Sequence, residues 1–110
     1  MGIEQSALNE LVNGILETLG RAVNAIILYG SVARGSSQND SDVDIALIMN
    51  SPLSSADDDR LTDFIVDMNL KYGKVFSVID IANSDYIKWR EISPFYKNVS
   101  GEGIVLWKAA

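Results

Sequence analysis

Residues 30–44 read GSVARGSSQNDSDVD and lie between two apolar runs, AIILY at 25–29 and IALIM at 45–49. Apolar runs of this length, bounded by Gly, Ser and Asp, are typical of buried β-strands. The segment between them therefore links two strands. Its first two residues follow the end of the first strand, and its last three residues open the second.

The pair Gly30-Ser31 predicts a turn that can hold a phosphate group. Glycine permits backbone conformations and close approaches that a side chain would block. We expect a single helical turn over 31–35, whose backbone N–H groups can bind a phosphate together with the Ser31 hydroxyl. A Gly-Ser turn that only connects two elements is the alternative. Arg34 lies one turn later, where it can contact phosphate or pair with an acid.

The aspartates Asp42 and Asp44 predict a site for a divalent cation. Side chains two residues apart in a strand share a face, and their Cα atoms lie roughly 6.5–7 Å apart. Two ionised carboxylates at this spacing repel each other, and a shared cation removes that repulsion. Ligands that are all oxygen suit Mg²⁺ or Mn²⁺. A solvated loop end is the alternative, but the apolar run that follows favours the cation.

Asp80 is the third candidate for the same site. It lies in VFSVIDI at 75–81, an otherwise mostly apolar run that we predict as a third strand. An acid in such a run is rarely buried without a partner. If this strand neighbours that of Asp42 and Asp44, three carboxylates converge and can hold two metal ions about 3.5–4 Å apart. Asp80 would then hold or polarise the attacking hydroxyl. The alternative is an acid at a strand end that faces water.

Composition limits the remaining chemistry. The chain has 110 residues, 47% of them hydrophobic, which fits one domain over residues 1–110. It contains neither Cys nor His, so disulfides, thiolate metal sites and His-based catalysis are excluded. A formal net charge of -6 argues against direct nucleic-acid binding. No apolar run is long enough to span a membrane and no signal peptide opens the chain, so we expect a cytoplasmic protein.

The rest of the chain predicts an α/β (α+β) fold, a small mixed β-sheet with helices packed on it. Helical spacing of apolar residues continues to residue 19, although Gly14 costs that helix about 1 kcal/mol relative to Ala. The further expected elements are strands at 24–29, 43–49, 75–81 and 104–107, a helix from Ser55 to Tyr72, and two short helices that begin near Ser84 and at Ser93-Pro94. We expect at least half of the late aromatic residues to lie in the core, with base stacking or partner contact as alternatives. These residues are Tyr86, Trp89, Phe95, Tyr96 and Trp107.

Gly30-Ser31, ten intervening residues and Asp42-Val43-Asp44 together resemble the signature of the DNA polymerase β-like nucleotidyltransferase superfamily. The longer pattern, GSVARG at 30–35 followed by SDVD at 41–44, resembles the minimal nucleotidyltransferase branch of that superfamily. The resemblance implies Mg²⁺-dependent transfer of a nucleoside monophosphate to a hydroxyl. Gly30 and Ser31 would hold the triphosphate of ATP, Asp42 and Asp44 would bind metal, and Asp80 would be the third acid that completes the site.

The resemblance also implies a partner. The branch is often paired with a small helical HEPN-domain protein, a ribonuclease toxin, and the minimal nucleotidyltransferase is then the antitoxin. This chain would transfer AMP from ATP to a tyrosine of that toxin within a hetero-oligomer. Only about 25 residues follow the third strand, fewer than a domain needs, so we expect the acceptor on another molecule. The alternatives are an antitoxin of the same fold that neutralises by binding alone, and a transferase acting on a small-molecule hydroxyl.

Overall fold

The computed structural model describes residues 5–35 and 42–110, and its centre is a four-stranded mixed sheet with helices on both faces. The elements in chain order are α1 (Gln5–Leu19), a 3₁₀ turn (Gly20–Ala22), β1 (Val23–Tyr29), α2 (Gly30–Arg34), β2 (Val43–Met49), α3 (Ser55–Tyr72), β3 (Phe76–Ala82), α4 (Asn83–Trp89), α5 (Pro94–Glu102) and β4 (Ile104–Lys108). The strand order is β3-β2-β1-β4. The pair β2–β3 is parallel and the pairs β1–β2 and β1–β4 are antiparallel. The predicted fold class is confirmed.

Helices α1 and α3 cover one face of the sheet and form the larger core. The apolar stripe of α1 is buried there, as its helical spacing predicted. Alternate residues of β2 point to this face because side chains in a strand alternate. The buried members from β1, β2 and β3 are Val23, Ile26, Leu28, Val43, Ile45, Leu47, Met49 and Phe76.

Helices α4 and α5 cover part of the opposite face. The buried residues there are fewer: Ala25, Ile27, Ala46, Ile48, Ile81 and Val99. Tyr86 and Tyr96 pack against them at partial exposure, while Trp107 packs against the larger core from β4. Three of the five late aromatic residues thus pack against the cores while partly exposed, whereas Trp89 and Phe95 are exposed.

Gly14 lies where α1 and α3 meet, and its lack of a side chain has a structural reason. A Cβ atom built on Gly14 would lie 2.0 Å from Cζ of Phe64 in α3. The ring occupies the space that any larger residue at position 14 would need. The glycine that weakens the helix by propensity thus allows the two helices to pack closely.

The predicted element boundaries shift by one residue at several ends. Helix α3 has its predicted limits, Ser55–Tyr72, and is capped by Ser54, whose hydroxyl accepts a hydrogen bond of 3.0 Å from the backbone N–H of Asp57. The third strand begins at Phe76 instead of Val75. Within residues 5–35 and 42–110, no helix combines the length and the apolar character needed to cross a membrane.

Candidate active site

The turn at Gly30 brings the backbone against a carboxylate of the neighbouring strand. Gly30 follows the last residue of β1, begins α2, and has a φ of +77°. A Cβ atom at this position would lie 2.3 Å from Oδ2 of Asp44. Glycine is required here on both counts, since an L side chain would be strained at this φ and would collide with the carboxylate. Ser31 follows in the first turn of α2, partly buried.

Asp42 and Asp44 lie at the start of β2, next to this turn. Asp44 is the second residue of the strand, pairs with Tyr29 of β1, and is partly buried, whereas Asp42 immediately precedes the strand and is exposed. Burial raises the pKa of the Asp44 carboxyl, and the charge of Asp42 raises it further. The two groups therefore interact unfavourably when both are ionised, which a bound cation would reverse.

Arg34 lies at the end of α2 and forms an ion pair with Glu102 at the end of α5. The Arg34 Nη1 to Glu102 Oε2 distance is 3.1 Å, and both side chains are close to half exposed, at 47% and 44%. The positive charge of Arg34 also lowers the pKa of Asp44, opposing the effects of burial and of Asp42. Of the two roles considered for Arg34, the structure shows the ion pair with an acid.

Asp80 does not join the other two aspartates, which corrects the expected convergence of three carboxylates. In the parallel register of β2 and β3, Asp80 pairs with Leu47, whereas Asp44 pairs with Ser77. Asp80 is therefore three residues further along the sheet, about 10 Å at the usual rise per residue. Paired residues share a face, so Asp80 points to the side of Leu47, opposite to Asp44. It is exposed and lines a cavity with Met49, Asn50, Ser51, Pro52, Ala82, Asn83, Ser84 and Ile87.

Ser77 is the residue that the sequence analysis missed. It is partly buried, pairs directly with Asp44, and so lies on the same face of the sheet on an adjacent strand. The predicted strand limits, 43–49 and 75–81, would have placed Phe76 opposite Asp44. The observed strand β3 begins one residue later, at Phe76, and this shift of one residue puts Ser77 there instead.

Two aromatic rings border the site on the same face. The ring of Tyr29 meets the ring of Phe95 edge-on, with centroids 5.6 Å apart. Burial raises the pKa of the Tyr29 hydroxyl, and the negative charge of Asp44 adds to that rise. Phe95 remains 40% exposed. The site therefore has an apolar wall beside its carboxylates.

The residues of this site fit one hard divalent cation. Mg²⁺ is usually bound by one or two carboxylates together with substrate phosphates and water, and Asp42 and Asp44 supply two such groups. A group of three acidic side chains that could hold a metal ion together does not occur within residues 5–35 and 42–110. The arrangement can thus hold a cation–phosphate unit beside the Gly30 turn.

Comparisons with known proteins agree with this arrangement. The family model described as "Polymerase beta, Nucleotidyltransferase" matches residues 10–109. A protein of Methanocaldococcus jannaschii, named "Putative protein adenylyltransferase", is 33% identical over 105 residues, which cover 94% of this chain and 98% of that protein.

Solved structures support the fold. A chain of the complex described as tri-AMPylated Shewanella oneidensis HEPN toxin with MNT antitoxin has a TM-score of 0.60 at 18% identity, covering 97% of this chain and 74% of that one. A chain of a toxin–antitoxin crystal structure with AMP-PNP also gives 0.60, at 17% identity, covering 91% and 73%.

Proposed function

Because the chain belongs to the polymerase β nucleotidyltransferase family, we propose that it transfers AMP from ATP to a tyrosine hydroxyl of a HEPN-domain toxin and so acts as the antitoxin. The observation that carries the proposal is the contact between the Gly30 turn and the Asp44 carboxylate, where a Cβ would lie 2.3 Å from Oδ2. A phosphate-binding turn and a cation-binding carboxylate placed this close can act on the same triphosphate.

Each residue of the site has a part in this proposal. The backbone N–H groups at the start of α2 and the Ser31 hydroxyl bind and orient the phosphates. Asp42 and Asp44 hold Mg²⁺, which supplies charge neutralisation for the phosphates when it is bound. The acceptor hydroxyl loses its proton to water and its oxygen forms a bond to the α-phosphorus. The bond from that phosphorus to the oxygen that bridges it to the β-phosphate breaks, and pyrophosphate leaves with that oxygen. Tyr29 and Phe95 keep one side of the site apolar, which strengthens electrostatic interactions within it.

The acceptor is proposed from the relatives. The Methanocaldococcus jannaschii protein is named for adenylylation of proteins, and the Shewanella oneidensis complex is described as holding an AMPylated HEPN toxin and an MNT antitoxin. A protein acceptor in a hetero-oligomer is therefore the substrate that we propose for this chain.

A labelling experiment tests the proposal. The chain is mixed with Mg²⁺, ATP labelled at its α-phosphate, and the HEPN-domain protein proposed as its partner. Wild type is expected to label the HEPN protein, and the double variant Asp42→Asn with Asp44→Asn is expected to abolish the label because the cation is lost. Asp80→Asn serves as the matched control: it also removes one carboxylate from the sheet and is expected to retain labelling, since Asp80 lies on the other face.

A second candidate is neutralisation of the toxin by binding alone, and one observation favours it. The residue opposite Asp44 on β3 is the neutral Ser77, so only two carboxylates lie in the described part of the site. Full neutralisation of the toxin by wild type without any label would decide for this candidate and against the transferase.

A further inference from the structure

We infer that Ser77 makes this a one-cation site: together with the nucleotide it binds a single divalent ion rather than a pair. The inference rests on the proposed function, because it concerns the same phosphates and the same Asp42 and Asp44. It goes beyond that function because it states how many divalent ions bind with the nucleotide and identifies Ser77 on β3 as the residue that limits this number to one.

The position of Ser77 is set by the sheet register. Ser77 pairs with Asp44 across the parallel β2–β3 pair, where neighbouring strands lie about 4.8 Å apart. The next residues on the same face, Ala46 on β2 and Ile79 on β3, are apolar and pack in the smaller core. Position 77 is therefore the place on β3 from which a side chain can share a metal ion with Asp44.

No other acidic side chain among the described residues lies where it could share a metal ion with Asp44. Asp80 faces the other side of the sheet, in register with Leu47. Glu102 is held in its ion pair with Arg34 at 3.1 Å. Residues 5–35 and 42–110 hold no further acidic side chain that forms a group of three with Asp42 and Asp44. Within these ranges the donors that strands β2 and β3 and the residue before β2 offer a metal are the carboxylates of Asp42 and Asp44 and the neutral hydroxyl of Ser77.

This donor set suffices for one ion and not for two. Mg²⁺ takes six oxygen ligands, and one or two carboxylates with phosphates and water are its usual set. A second ion about 3.5–4 Å from the first would have to share those carboxylates. Two doubly charged ions repel about four times as strongly as unit charges at the same distance. A serine hydroxyl brings no negative charge to offset this repulsion.

Manganese spectroscopy tests the inference directly. The full chain, saturated with an ATP analogue that has a methylene group between its α- and β-phosphorus atoms, is titrated with Mn²⁺. Electron paramagnetic resonance then counts the bound ions and detects coupling, since two Mn²⁺ ions at two-metal distance give a spin-coupled spectrum. Wild type is expected to bind one Mn²⁺ per nucleotide, with an uncoupled spectrum.

Two variants at the same position make the test selective. Ser77→Asp is expected to bind two ions and to show coupling. Ser77→Asn has nearly the same size without the charge and is expected to stay at one. A coupled pair in wild type, or a folded Ser77→Asp protein that still binds one ion, would overturn the inference. If Ser77→Asp does not fold, the wild-type count and spectrum decide.

The outcome also separates this inference from the proposed function. Two ions in wild type, with AMP transfer intact, would refute the role of Ser77 and leave the transferase standing. No nucleotide-dependent Mn²⁺ at all would refute the proposed site itself, and with it the inference.

Discussion

Replacing Gly30 by alanine tests the contact on which the active-site geometry depends. Gly30 has a φ of +77°, and a Cβ there would lie 2.3 Å from Oδ2 of Asp44, where ordinary contacts begin at 3.4 Å. The carboxylate must therefore move by about 1 Å. The backbone strain costs roughly 1–2 kcal/mol of unfolding free energy. A misplacement of about 1 Å at a reacting group costs on the order of 100-fold in rate.

The assay is single-turnover transfer of labelled AMP at saturating ATP and Mg²⁺, with urea unfolding measured alongside. Gly73→Ala is the matched control, because Gly73 also has a positive φ, +62°, but has open space where its Cβ would be. Both variants are expected to lose similar stability, and only Gly30→Ala is expected to lose transfer. If the two variants transfer AMP at rates within threefold of each other, the reasoning about the Gly30–Asp44 contact is refuted.

Three further predictions concern stability. Because the pKa of Asp44 is raised above its ordinary 3.8, the folded state binds its proton more tightly than the unfolded state, and stability falls as pH rises from 3.8 through the raised pKa. Asp44→Asn should therefore melt higher than metal-free wild type at pH 7, with the difference shrinking towards acid; a lower melting temperature at pH 7 would contradict this. Gly14→Ala, whose Cβ would overlap the Phe64 ring, should lower the unfolding free energy by about 1–3 kcal/mol in urea, and Phe64→Leu in the same chain should recover part of that loss. Glu102→Gln breaks a half-exposed ion pair and should cost less than about 1 kcal/mol, so a larger loss in the same unfolding assay would show that the pair contributes more than its exposure implies.

The strands and the Gly30 turn were predictable because their signals are local. The run 43–49 is apolar except for Asp44 and is preceded by Asp42, and the structure gives β2 the same limits. Likewise, a glycine directly after an apolar run indicates a turn that needs a positive φ, and Gly30 has one. Signals of this kind depend only on neighbouring residues, so one sequence suffices to find them.

The place of Asp80 was not predictable in the same way, because it depends on register between two strands. Three residues of offset along β3 are enough to change both the face and the distance from Asp44. The acid in the third apolar run is evident from composition alone, whereas the register that places Ser77 beside Asp44 is a relation between two strands. Gly14 illustrates a second kind of non-local cause. A glycine is needed at position 14 because the Phe64 ring, 50 positions away in the chain, occupies the space of a side chain.

The mass of the HEPN protein is the most direct test of the account. The protein is purified from cells that co-express it with wild type or with the Asp44→Asn variant, and its intact mass and modified residues are determined by mass spectrometry. We predict one or more AMP groups on a tyrosine with wild type and none with Asp44→Asn. An unmodified HEPN protein from cells in which wild type neutralises it would contradict the account.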